Sequence, residues 1–189
     1  MSLLQDLLLT GLLVALLLVV RAKFFLLTVV SGQSMLPTLR NHTLLLVSRW
    51  HYRYHAPRRH ELVICHYPRR YVSRHLLVPK KLWPVLRKLH IPQCFVKRII
   101  ALPGETIEIQ EGVVLIDDEP LAEPFLAAEL NQRPRALSPR TLGAEEYFVM
   151  GDNRDHSNDS RSVGAIHRSM LVGRVVWQVW PPKGFRSIE

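Results

Sequence analysis

The apolar positions of this chain fall into one long run and many short ones. Leu7–Val20 gives fourteen consecutive residues drawn from Leu, Val, Ala, Gly and Thr, without a charge. Extended back to Ser2, the stretch is nineteen residues long, with Asp6 near one end where it can reach headgroups. A membrane-spanning helix needs about 20 residues, so residues 1–23 are read as an N-terminal transmembrane anchor. Phe24–Val30, apolar apart from Thr28, predicts a buried or membrane-apposed strand. Farther on, short Val- and Ile-rich runs punctuated by 13 prolines and 9 glycines predict strands rather than a helix bundle. One of them, Phe95–Ile100, is strand-like and ends at the Pro103-Gly104 turn. Side chains alternate along a strand, so Lys97 and Arg98 are expected on opposite faces, one toward a pocket and the other in solvent.

A cleaved signal peptide is the rival reading of the N-terminal run. It fits poorly, because no basic segment precedes the run and Arg21-Ala22-Lys23 is no small-x-small site. The positive-inside rule reads Arg21 and Lys23 as cytoplasmic. At 189 residues the chain has room for one domain, residues 24–189, beyond the anchor.

Charge changes this picture in one place. The formal net charge is +9, yet residues 49–98 carry thirteen Lys and Arg against one acid, while residues 99–189 carry nine against fourteen. A basic block invites a nucleic-acid partner, but no nucleic-acid-binding fingerprint is present. Anionic lipid is the simpler partner, and Trp50, Tyr52, Tyr54 and Trp83 interleave with the charges as interfacial side chains do. An ordinary solvated loop is the alternative. Cys65 and Cys94 lack metal-type spacing and any nucleophile context, and a disulfide between them stays open.

The candidate chemistry lies in three boxes. Ser31-Gly32-Gln33-Ser34-Met35-Leu36-Pro37-Thr38-Leu39 offers a serine on a sharp turn, with Gly32 allowing the bend and Pro37 restricting the backbone. Such a turn projects the Ser34 hydroxyl and aims its N–H toward an oxyanion. Val96-Lys97-Arg98-Ile99-Ile100 places a lysine in an apolar run. A serine needs a neighbouring base to become nucleophilic, and a lysine serves only when neutral, which desolvation favours. Moving its pKa from about 10.4 toward 8 takes roughly 3 kcal/mol. Arg98 stays protonated and is excluded as a base. The third box, Gly151-Asp152-Asn153-Arg154-Asp155-His156-Ser157-Asn158-Asp159-Ser160-Arg161, is dense in turn formers and hydrogen-bonding groups but lacks the EF-hand pattern. A hydroxyl here could orient the lysine amine, and Asp159 could pair with Arg161.

Together the apolar anchor, the three boxes, Gly164 and Val172-Gly173-Arg174-Val175 resemble the type I signal peptidases of bacteria. That resemblance implies a mostly β, antiparallel fold with a small inserted subdomain, here 111–143, and an anchored catalytic domain on the extracytoplasmic side of the cell membrane, which sets aside the positive-inside reading of Arg21 and Lys23. It implies Ser34 as nucleophile and Lys97 as general base, with Ser157, Asp159 and Arg161 in support and Met35 and Pro37 against the substrate. The expected partners are secretory preproteins and membrane lipids, with no metal or organic cofactor and no nucleic acid. The activity implied is endopeptidase removal of signal peptides after small-x-small sites. A self-cleaving repressor-type Ser/Lys protease and an inactive anchored binding protein on the same scaffold are the alternatives. Three positions depart from the pattern. Gly32 stands where some relatives carry a serine hydroxyl, His156 stands where asparagine is usual, and the basic stretch 67–93 is longer than typical.

Overall fold

The computed structural model describes residues 3–71, 92–133 and 135–188. The basic insertion expected over 67–93 therefore lies largely outside the described residues. The chain opens with helix α1 (Leu3–Phe24), where Leu, Val and Ala dominate and no proline interrupts the ladder. Among the described residues, no helix is long and apolar enough to cross a membrane. Strands β1 (Phe25–Val29), β2 (Leu44–Ser48), β3 (Leu62–Tyr71) and β4 (Pro92–Ala101) follow, with a four-residue helix α2 (His51–Tyr54) between β2 and β3. Next come β5 (Thr106–Gln110), β6 (Val113–Ile116), β7 (Glu119–Pro120), β8 (Leu137–Thr141) and β9 (Glu146–Met150). The chain closes with a short helix α3 (Ser160–Val163), then β10 (Ile166–His167), β11 (Leu171–Trp180) and β12 (Arg186–Ser187).

The expected mostly β, antiparallel architecture is present as two sheets. The larger has the order β1-β2-β11-β3-β4-β9-β10, with β12 on β11, and the smaller has the order β7-β6-β5-β8. Their pairings are antiparallel throughout. Segment 111–143 supplies three strands of the smaller sheet, and β5 joins them from the chain before it. Strand β11 sits between β2 and β3, so the last long strand joins the part of the sheet that leads to Ser34 with the part that carries Lys97.

The cores follow from alternation. Leu45 and Val47 of β2, Ile64 of β3 and Val175 of β11 bury inward with Met35 and Leu39. Ile107, Ile109, Val114 and Phe148 fill the space beneath the smaller sheet. Strand β1 corrects the buried reading of Phe24–Val30. It is the edge of the sheet, and its residues alternate in exposure, with Phe25, Leu27 and Val29 outward. Register puts Leu27 opposite Leu46, and Val29 opposite Leu44. Across the same face, Trp177 pairs with Leu46 and Trp180 with Leu44. This face leaves Phe25, Leu27, Val29, Trp177 and Trp180 exposed.

Candidate active site

Ser34 lies on the turn after β1. Gly32 takes a φ of 108°, a conformation that suits glycine, and its N–H donates to Asn41 Oδ1 at 3.0 Å. The chain resumes over a cis Leu36–Pro37 bond. Met35 and Leu39 turn into the core and pin the turn from below, while Ser34 stays partly accessible. Met35, expected against the substrate, has its side chain buried at 1% exposure, so only its backbone is available to a ligand; Pro37 is exposed.

Strand β4 carries Lys97 to the same point. Its Nζ lies 2.9 Å from Ser34 Oγ and 3.1 Å from Ser157 Oγ, and the residue is 2% exposed. Burial pushes the amine below its ordinary value of 10.5, against an opposing pull from Asp159. Desolvation outweighs that pull because Asp159 is engaged elsewhere. Its Oδ1 accepts from Arg161 Nε at 2.8 Å, and its Oδ2 accepts from Arg161 Nη2 at 2.8 Å and Gly151 N at 3.0 Å. Burial alone would raise the Asp159 carboxyl, but the Arg161 contacts and a Ser157 hydrogen bond hold it below the carboxylate range. The nearby Cys65 thiol is pushed up to about 12 by burial and stays protonated. Cys65 is buried and Cys94 exposed, and both are thiols rather than a disulfide.

Arg98 does project to the face opposite Lys97, but it is not in solvent. It is 6% exposed, bonded to Asp152 through Nε at 2.9 Å and Nη2 at 2.7 Å, and stacked 3.9 Å from the Phe125 ring. Thr38 Oγ1 donates to Asp152 Oδ2 at 2.5 Å, so this pair ties the serine turn to β4. A buried guanidinium is tolerated only when paired and hydrogen-bonded, and the partner is the acid two positions after Met150.

Several framing residues carried no signal in the sequence beyond their box. Asn153 N–H donates to the Ser34 carbonyl at 3.1 Å. Gly151 has no room for a side chain, since a Cβ there would stand 2.4 Å from Ser34 O and 2.3 Å from Ser157 Oγ. Arg154 is buried against Glu123 and donates to Gly151 O at 3.1 Å. Glu123 lies in the 111–143 segment, where residue type alone gives no hint of this pairing.

A buried amine whose proton affinity is lowered by desolvation, within hydrogen-bonding distance of a turn serine, has the placement a base for that serine needs. The family model described as signal peptidase, peptidase S26, matches residues 3–180. The chain is 31% identical over 152 residues to a signal peptidase I of Leptolyngbya laminosa, covering 80% of this chain and 67% of that protein. It is 32% identical over 173 residues to a probable signal peptidase I-1 of Synechocystis sp., covering 90% and 80%. A signal peptidase I crystal structure from Enterococcus faecalis V583 covers 64% of this chain and 97% of its own, with TM-score 0.47 and 24% identity. The chain is thus a serine endopeptidase, and it belongs to the signal peptidase family, peptidase S26.

Proposed function

We propose that this protein is a membrane-anchored endopeptidase that removes N-terminal signal peptides from secretory preproteins, with Ser34 as nucleophile and Lys97 as general base. The observation that carries this reading is the 2.9 Å approach of a buried Lys97 Nζ to Ser34 Oγ. Neutral Lys97 takes the Ser34 proton as Oγ attacks the scissile carbonyl, and the Ser34 N–H supports the oxyanion. The protonated amine then gives its proton to the leaving amine. Water, deprotonated by the same lysine, releases the acyl group. Ser157 holds the amine in line, while Asp159 and Arg161 hold Ser157 and Gly151. With glycine at position 32, no hydroxyl two residues before the nucleophile assists the oxyanion. An extended substrate segment adds to the open edge of β1, which runs directly into the serine turn, with small side chains at the first and third positions before the cut.

The anchor is α1. It seats the chain in the bilayer through the uncharged run Leu7–Val20, which is shorter than the about 20 residues of a full span. Leu7, Leu8, Leu9, Leu12, Leu13, Val14 and Leu16 are exposed and lie on every side of the helix, a pattern that suits a lipid surround. The catalytic domain sits on the extracytoplasmic side, with the apolar face of β1, β2 and β11 against the membrane. The test is cleavage of a preprotein bearing an Ala-x-Ala site by purified protein in detergent. Wild type cuts after the second alanine of that site, whereas S34A and K97A are inert and keep the wild-type circular dichroism. Normal cleavage by either variant would end the assignment.

A further inference from the structure

Helix α2 and the end of β2 build a second site, remote from Ser34. A cavity of about 240 Å³ is lined by Arg49, Trp50, Arg53 and Val172. It lies where α1 ends. Arg49 N–H donates to Phe24 O at 2.9 Å, and the Phe24 ring meets Trp50 edge-on at 4.4 Å. Trp50 in turn packs on Tyr54 at 5.1 Å, and the Arg53 guanidinium lies 5.2 Å over the Trp50 ring.

The opposite side of α2 is fixed to the sheet. Tyr52 Oη donates to the buried Glu61 at 2.9 Å, Arg174 Nε lies 3.3 Å from the same carboxylate, and Arg168 Nη2 donates to Tyr52 O at 3.1 Å. None of the ion pairs among the described residues takes up Arg53, which is exposed. Two guanidiniums, the indole and an aliphatic wall thus surround one cavity on a rigid base.

We propose that this cavity binds the phosphodiester headgroup of an anionic lipid. Guanidinium forks match phosphate oxygens, and Trp and Tyr favour the depth where headgroups lie. Trp50, backed by Phe24, and Val172 supply an apolar wall suited to a lipid's glycerol and first methylenes rather than to free phosphate. The proposal rests on α1 being the anchor, because only then does the cavity lie at headgroup level.

The full chain in neutral detergent, examined by native mass spectrometry with added lipid, tests this. Phosphatidylglycerol is retained well above phosphatidylcholine. The double variant R49Q/R53Q binds it about thirtyfold more weakly, as expected for two interfacial arginines, and R49K/R53K keeps part of the binding. Cleavage of a soluble Ala-x-Ala peptide is unchanged in R49Q/R53Q. Equal retention of the two lipids by wild type, which needs no variant, would overturn the proposal. So would undiminished binding by folded R49Q/R53Q, or displacement of the lipid by millimolar inorganic phosphate. Loss of peptide cleavage by wild type, with selective lipid retention intact, would sink the peptidase reading and leave this one standing.

Discussion

With Lys97 as the proposed base, its amine should set the pH response of cleavage. Its amine is depressed below 10.5 by burial, so the neutral, proton-accepting form exists at lower pH than for a free lysine. Cleavage should rise with pH along a single deprotonation below 10.5, measured as kcat/KM against pH. Stability carries the same signature. Between the depressed value and 10.5 the unfolded chain binds more protons than the folded one, so stability climbs with pH across that window and is lost as pH falls through it. K97M should flatten that slope in urea titrations. Gly151 makes the second residue-scale prediction. A methyl there meets Ser34 O at 2.4 Å and Ser157 Oγ at 2.3 Å. Overpacking of this kind costs about 1–3 kcal/mol, so G151A should lower kcat and shift the urea midpoint downward together. Ser34 and Lys97 stood out as candidates because the serine turn, the lysine in an apolar run and the third box occur together in one order, each being ordinary alone. Gly151 did not, because the atoms that crowd it come from positions far along the chain.

At the scale of elements, the serine turn, β4 and the acidic loop are joined by the Thr38–Asp152–Arg98 chain of hydrogen bonds. Removing one partner of a buried pair strands the other charge, at a cost of about 3–5 kcal/mol. D152A should therefore lower the unfolding free energy by that amount, read from chemical denaturation. A loss under about 1 kcal/mol would show that Arg98 finds other partners. The sequence expectation left one of Lys97 and Arg98 in solvent, since alternation says only that they point apart. What it lacked was the packing on the two faces. Lys97 is 2% and Arg98 6% exposed, with the Phe125 ring over the Arg98 guanidinium, so the second cation needs an acid. The edge position of β1 was hidden too, because a short apolar run reads alike at the centre and at the margin of a sheet.

At the scale of the molecule, an apolar sheet face runs from the end of α1 toward the serine turn. Its outward residues include Phe25 at the α1 end of β1, with Trp177 and Trp180 of β11 exposed toward the other end, where Trp180 lies opposite Leu44. If this face rests on lipid, W177S/W180S should weaken cleavage of a preprotein embedded in vesicles severalfold while sparing a soluble peptide. Equal losses on both substrates would assign the two tryptophans to folding instead. The concentration of cations in residues 49–98 was visible in composition. That two of them flank one cavity at the end of α1 was not, since α2 is four residues long and leaves no periodic trace.

Placing β11 between β2 and β3 also fixes when the enzyme comes alive during synthesis. Until this strand is in place, the part of the sheet that leads to Ser34 and the part that carries Lys97 are not joined edge to edge, and only the contacts through Asp152 and Asn153 align them. Competence should therefore arrive only once β11 has paired, so a chain ending before Leu171 should not cleave an Ala-x-Ala peptide.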